Sequence, residues 1–276
     1  MSAKLIPTNP SEVMVIRNIT PNVVTFSVPF ARFGVLKVGG RGTLVKLTSG
    51  ALAIFSPVAL TPEVKAKIAE LGGTVKYIIA PDIEHHIFIS EWAAQFPEAT
   101  LIGPEGLPEK REKANEERIG KEKFGVVATA AAKAEGKLSV SPEFDADFDL
   151  EYVDAHPNKE LVFFYRPDKI LIEADLMFNL PANEQYSRVP AAQALQKGVA
   201  ERIFGSLQTT AGEAKGMKRF MWYVFSAKDR KGFNASAKKI NEWDFKTIIP
   251  CHGDTIEGNG KEIFEKIFEW HLKAPK

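Results

Sequence analysis

Residues 75–86 read VKYIIAPDIEHH, an apolar run that leads directly into a pair of histidines. The run is rich in β-branched and aromatic residues and predicts a buried strand. The histidines are His85 and His86, and the aromatic residues after them recur at the spacing of one helix face: Phe88, Trp92 and Phe96. Functional side chains often collect where a strand gives way to a helix, so this junction is a candidate site.

The composition is that of a globular protein with no marked net charge. Among its 276 residues, 36 lysines and arginines stand against 35 aspartates and glutamates, which leaves a formal net charge of +1. Nucleic acid and anionic membranes bind concentrated basic surfaces, so we expect neither as a partner and expect a small-molecule substrate. The single cysteine forms no internal disulfide, the amino terminus lacks the apolar core of a secretory signal, and no apolar run approaches the ~20 residues of a membrane span. These features predict a cytoplasmic protein and leave its oligomeric state open.

The chain divides into two halves, residues 12–125 and 137–276, in which strands come first and helices follow. Strands of the first half are predicted at 13–16, 23–28, 34–38, 42–46, 52–55, 75–80 and 100–102. Thr61 and Pro62 suit the start of a helix that ends at the Gly72-Gly73 pair. The charge-dense segment 108–123 predicts a solvent-exposed helix, and 128–136 either continues it or forms a flexible connection.

The second half repeats this order of elements. Strands are predicted at 148–153, 160–165, 169–172 and 246–250, and helices at 189–204, 216–225, 234–243 and 260–273. Helices that follow strands in each half are expected to cover one face of each of two packed sheets. The sequence therefore predicts an α/β (α+β) protein, a four-layer αββα sandwich in a single domain.

Three more residues of the metal-binding type lie at strand ends or in turns. His156 lies in a turn between two predicted strands, Asp175 ends an apolar run, and His252 lies where a strand meets a glycine-containing turn. Imidazole nitrogen and carboxylate oxygen both bind zinc and iron readily. Each residue alone has a commoner explanation, because a turn histidine is usually solvated and a carboxylate after a strand is usually a helix cap.

The order of these residues resembles the metallo-β-lactamase superfamily over nearly the whole chain. Residues 250–253, PCHG, are similar to its late Pro-x-His-Gly element, and residues 171–175, LIEAD, to its apolar strand that ends in Gly-Asp. Residues 155–158, AHPN, resemble its Gly-His-Thr-Pro-Gly-Ser element. The resemblance implies the αββα fold, which agrees with the order of elements.

The most diagnostic motif of that superfamily, H-x-H-x-D-H, is altered in this chain. Residues 81–86 read PDIEHH, so Pro81 and Ile83 replace the first two histidines, His85 replaces the aspartate, and only His86 matches. An uncharacterised branch of the superfamily carries Ala-Pro-Asn/Asp-x-x-His-His-x-Phe and then Phe/Tyr-Pro-x-Ala. Residues 80–88, APDIEHHIF, and 96–99, FPEA, are similar to both elements.

The resemblance implies one divalent metal rather than two. The two-metal members of the superfamily have two metal sites, and at the first of them this chain retains only His156 and Asp175. The other keeps His86, His252 and Asp175, with His85 as a substitute ligand. The predicted metal ligands are therefore drawn from His85, His86, His156, Asp175 and His252, and the metal is zinc in the first place and iron as the alternative.

A catalytic zinc lowers the pKa of its water to about 7, so the predicted reaction is hydrolysis of an ester, lactone, thioester or amide. Asp175 would hold the metal and orient that water. Two alternatives stay open: a non-catalytic member of the fold that binds a metal, ligand or partner, and an iron-dependent oxidoreductase.

Other residues near these motifs have less specific predictions. Asp82, Glu84 and Asp254 could orient imidazoles, although exposure at the surface is the commoner state of each. Residues 178–186 suit either a pocket wall or a connecting loop, and an aromatic stripe at 217–225 predicts core packing. Cys251 has no separate base in the sequence and is predicted to be inert, and His271 is predicted to be structural.

Overall fold

The computed structural model describes residues 7–190 and 198–275. The strands are β1 (Val15–Asn18), β2 (Val23–Val28), β3 (Ala31–Arg32), β4 (Leu36–Lys37), β5 (Gly40–Lys46), β6 (Leu52–Phe55), β7 (Val75–Ile79), β8 (Thr100–Pro104), β9 (Val126–Ala128), β10 (Phe148–Val153), β11 (Glu160–Tyr165), β12 (Ile170–Ile172) and β13 (Thr247–Ile249). One sheet has seven strands in the order β1-β2-β5-β6-β7-β8-β9, a second has four in the order β10-β11-β12-β13, and β3 and β4 form a separate hairpin.

Helical segments connect and cover the sheets. They are Pro10–Val13, Pro62–Leu71, Ile89–Gln95, Leu107–Glu112, Ala130–Ala134, Pro142–Asp145, Asn183–Tyr186, Val199–Leu207, Lys215–Phe220, Arg230–Ile240, Gly260–Ile267 and Glu269–Lys273, with a π-helix at Met221–Phe225. The helix Pro62–Leu71 has the predicted ends, since the Thr61 hydroxyl accepts from the Val64 amide and Gly72 follows at a positive φ. No helix of the described ranges is long and apolar enough to cross a membrane.

Strand direction brings two loops of the second sheet together. β10, β11 and β12 are antiparallel neighbours, whereas β12 and β13 run parallel and pair Ile172 with Ile249. Parallel strands present their carboxyl ends at the same edge of a sheet. The segments that leave β12 and β13 carry Asp175 and His252, so this topology explains why two residues far apart in sequence become neighbours.

Apolar residues fill the space between the sheets and on both outer faces. Aromatic rings dominate the inter-sheet layer, where Phe55 lies 5.3 Å from Phe148 and 5.0 Å from Phe163 between ring centroids. Trp92 and the buried face of the helix Pro62–Leu71 pack on the seven-stranded sheet. Met217 and later helices pack on the four-stranded sheet. The predicted four-layer αββα sandwich is confirmed.

Several predicted elements differ from the structure. The strand expected at 34–38 is half of the β3–β4 hairpin, because Gly34 has a φ of +70° and turns the chain. The helix expected over 108–123 covers only Leu107–Glu112. The segment after it folds back along the helix, and Glu122 pairs there with Arg111. Residues 126–128 form the edge strand β9.

Predicted helices of the second half have altered ends. The segment 216–225 is a helix followed by a π-helical turn, and the last helix is divided at Phe268. The helix expected at 189–204 begins at Val199 in the described part of the chain. Residues 191–197 of that prediction lie outside the described residues.

His271 lies buried in the outer core and provides a test of the pH dependence of folding. Burial and the charge of Arg230 lower the pKa of His271 to about 4, below the ~6.5 of an unfolded histidine. Between these values only the unfolded chain binds the proton, so the free energy of unfolding must fall as the pH falls from about 6.5 to 4. Urea titrations of chelator-treated protein at pH 7 and pH 5 measure this fall in the free energy of unfolding. We expect the fall to be about 1–2 kcal/mol smaller in a His271→Phe variant than in the unaltered protein. An equal loss in both proteins would contradict this account.

Candidate metal centre

Three of the predicted ligands meet at one buried cluster. His85 lies in the loop between β7 and the helix Ile89–Gln95, Asp175 follows β12, and His252 follows β13. The Nε2 atom of His252 lies 3.2 Å from Nε2 of His85 and 3.1 Å from Oδ1 of Asp175. Ligand atoms of one tetrahedral zinc, each about 2.0–2.2 Å from the metal, lie about 3.3–3.6 Å apart. The two separations from His252 are close to that spacing. The close donor groups of the described residues join His85 and His252 with Cys251 and, separately, His85 and Asp175 with Asp82.

The hydrogen bonds of the two Nδ1 atoms show that the Nε2 atom of each ring faces the cluster. Nδ1 of His252 donates to the Gly39 carbonyl at 2.6 Å, and Nδ1 of His85 donates to Asp82 at 2.8 Å. A carbonyl and a carboxylate only accept, so both neutral rings carry their proton on Nδ1. When both rings are neutral, the two Nε2 atoms face each other with lone pairs, and either a proton shared between them or a bound cation relieves this arrangement. Histidine ligands of metals have this same outer hydrogen bond.

The cluster is electrostatically suited to a cation. Burial lowers the pKa of His85, but Asp82, Cys251 and Asp175 more than offset this effect and raise it well above its usual value. Burial raises the pKa of Asp175, but His85 and His252 lower it well below its usual range. The same negative charge that would hold a proton on these rings would hold a divalent metal, so the donor set fits one.

Asp175 is held by its neighbours on two sides. Its backbone amide and that of Ala174 donate to the buried carboxyl of Glu160. Its Oδ2 atom accepts from the Asn158 side-chain amide at 2.5 Å, and the Arg32 guanidinium lies 4.0 Å away. The Oδ1 atom is buried with no hydrogen-bond donor, so this oxygen is the one that is free to bind a metal.

His86 and His156 have other hydrogen bonds and are not members of the close donor groups of the described residues. Nδ1 of His86 lies 3.2 Å from the Arg111 guanidinium, and burial together with Lys110 and Arg111 lowers the pKa of His86 to about 4. Nδ1 of His156 accepts from the Asn158 amide, while its Nε2 is buried with no hydrogen-bond partner. Neither residue belongs to the groups of close donor atoms among the described residues.

Cys251 is the member of the cluster that sequence reasoning treated as inert. Its sulfur and one ring nitrogen each of His85 and His252 all lie within 4.8 Å of one another. Burial raises the pKa of the Cys251 thiol, but the charges of His85 and His252 lower it to about 6. A cysteine beside two histidines at a strand end is the sequence signal that could have revealed this position.

The three carboxylates considered as orienting groups have different roles. Asp82 is fully buried and holds His85, as described above. Glu84 instead pairs with Lys110 at 2.8 Å. Asp254 accepts hydrogen bonds from the Asn183 side chain and the Glu184 amide, at the start of the helix Asn183–Tyr186.

Arg41 is a structural residue of the site that sequence reasoning missed. Its fully buried guanidinium donates to the carbonyls of Pro250 and Gly253 at 2.6 Å and 2.7 Å, on either side of His252. The guanidinium also pairs with Glu184 at 3.3 Å. A charged residue within an otherwise buried strand is the signal that could have identified it. Gly253 is required in this turn because a Cβ there would lie 2.1 Å from the Asn179 carbonyl oxygen.

A cavity of about 310 Å³ opens beside the cluster. His85, Cys251, His252 and Arg32 line it, together with apolar residues that include Val28, Pro29, Phe30, Pro57, Val58 and Phe88. Residues 178–186 do not line it. They lie behind the site, where the Phe178 ring contacts His252 at 4.6 Å between centroids. In the stripe at 217–225, Met217 and Met221 are fully buried, in agreement with core packing.

Comparison with known proteins identifies the fold. The family described as "Domain of unknown function (DUF4336)" matches residues 31–220. Among curated proteins none matches the sequence. A metallo-beta-lactamase from Pontibacter korlensis is 11% identical with a TM-score of 0.57, and the match covers 95% of this chain and 100% of that one.

Two further solved structures have the same fold. The flavodiiron core of Flv1 from Synechocystis sp. PCC6803 is 12% identical with a TM-score of 0.57, and the match covers 94% of this chain and 60% of that one. A flavoprotein from Thermotoga maritima is 13% identical with a TM-score of 0.57, and this chain, matched over 95% of its length, spans 62% of it. At these identities the likeness establishes the metallo-β-lactamase-like fold and nothing about activity.

Proposed function

The chain belongs to the DUF4336 family, and from the site that it carries we propose a mononuclear metal hydrolase in which His85, His252 and Asp175 hold one divalent metal. The observation that supports this proposal is the pair of Nε2 atoms that face each other at 3.2 Å with their outer nitrogens bonded to acceptors. His86 is bonded to Arg111 and is not needed for this set.

The residues around the cluster have defined roles in this proposal. Asp82 and the Gly39 carbonyl fix the two rings, and Asn158 fixes Asp175. The metal would supply the positive charge that polarises a carbonyl oxygen and lowers the pKa of a water to about 7. The apolar cavity would exclude other water from the carbonyl, and Arg32 would face the carboxylate that hydrolysis releases.

The substrate classes in this proposal are esters, thioesters, lactones and amides. Purified protein should contain about one equivalent of zinc or iron and hydrolyse at least one class, with loss of turnover in chelator and recovery on readdition of one metal. One bound metal without any turnover would favour a non-catalytic binding protein. Oxidation of a substrate by the iron form alone would favour an oxidoreductase, and absence of metal after supplementation would overturn the proposal.

A further inference from the structure

We propose that the 310 Å³ cavity binds a medium-length unbranched acyl chain, with the carbonyl end at His85 and His252. The inference rests on the proposed function for its reaction, but the binding of the chain can be tested independently of turnover. It follows from three properties of the cavity, namely its walls, its size and the position of its polar residues.

The walls of the cavity are apolar over most of their extent. The end of β2 and the residues after it contribute Val28, Pro29 and Phe30, and the loop after β6 contributes Pro57, Val58 and Ala59. Ile87 and Phe88 add a third side. Such a surface gains free energy by covering hydrocarbon and has little with which to bind a sugar or a nucleotide.

The polar residues are concentrated around the cluster. Of the charged residues in the lining, Arg41 is bonded to Pro250, Gly253 and Glu184, and Glu84 pairs with Lys110. Arg32 remains beside Asp175, with 36% of its side chain exposed. A ligand that is apolar along most of its length and carries one carbonyl or carboxylate end therefore matches this distribution.

The volume sets the approximate size of the ligand that the cavity encloses. A water-sized group occupies about 30 Å³, so a cavity of 310 Å³ holds roughly ten non-hydrogen atoms. Octanoate, with its carbon chain and two carboxylate oxygens, has that size. We therefore expect chains of about eight carbons to fill the cavity and longer ones to extend into solvent.

The test measures the binding of saturated carboxylates of even length, from butanoate to dodecanoate, to the intact protein by calorimetry. Affinity should rise about fourfold per added carbon and level off near octanoate. Ala59→Trp, at a half-buried lining position, should weaken octanoate binding at least tenfold. Ala134→Trp, at an exposed helix position, is the matched control and should leave binding unchanged.

A second variant keeps the test valid if Ala59→Trp fails to fold. Phe88→Ala enlarges the cavity and should move the plateau to longer carboxylates.

Affinity that is independent of chain length, or equal losses in Ala59→Trp and Ala134→Trp, would overturn the inference. Octanoate binding with this dependence but without hydrolysis of octanoyl esters would support the cavity assignment while the hydrolase proposal fails. Hydrolysis that is insensitive to acyl length would overturn the assignment and leave the hydrolase proposal standing.

Discussion

Replacement of His252 by alanine should lower the metal content of the purified protein from about one equivalent to a small fraction. His252 is the central donor, since its Nε2 atom lies within 3.2 Å of both other proposed ligand atoms. Loss of an outer hydrogen bond to a ligand already weakens metal binding about 10–100-fold, so loss of the ligand itself should exceed that effect. Elemental analysis after gel filtration measures the change.

Two control variants make this result specific. His271→Phe removes a buried histidine from another part of the core and should keep the metal. His86→Ala removes the histidine that matches the superfamily motif but is bonded to Arg111, and it should also keep the metal. Metal retained in His252→Ala, or lost in His86→Ala, would contradict the ligand set.

Replacement of Arg41 by alanine should lower the free energy of unfolding by about 3–5 kcal/mol. The substitution leaves the Pro250 and Gly253 carbonyls without their buried donor and removes one partner of Glu184. Because both carbonyls flank His252, the loop that carries this ligand should loosen and metal affinity should fall as well. Urea titration of the metal-free protein separates the first effect, and a competitive chelator titration measures the second.

Arg17→Ala is the matched control for this substitution. Arg17 also pairs with Glu184, at 2.8 Å, but 33% of its side chain is exposed. An ion pair with this exposure contributes about 0–1 kcal/mol, so we expect a small change in stability and unchanged metal affinity. Similar losses in both variants would show that the carbonyl contacts of Arg41 have no special role.

Sequence patterns indicated where the site lies because strand ends are visible in sequence. The apolar runs before His85, Asp175 and His252 correspond to β7, β12 and β13, and the adjacent parallel pair brings two of the three together. The caps and glycines that end the helix Pro62–Leu71 are equally local signals. Elements whose ends depend on neighbouring residues alone were therefore predictable.

The choice between neighbouring histidines depends on residues distant in sequence. His85 faces the cluster because Asp82 and His252 hold its two nitrogens, while His86 contacts Arg111, 25 positions later. No periodic pattern indicates such contacts within an irregular loop. The same reason applies to Arg41, because the Pro250 and Gly253 carbonyls that it holds lie more than 200 positions away in the chain.

The most direct test is anomalous diffraction at the zinc edge from crystals of the zinc-loaded protein. We expect one peak, about 2.0–2.2 Å from Nε2 of His85, Nε2 of His252 and a carboxylate oxygen of Asp175. A peak held by His86 or His156 without His85, a second peak of equal height in the same site, or no peak at saturating zinc would contradict the account.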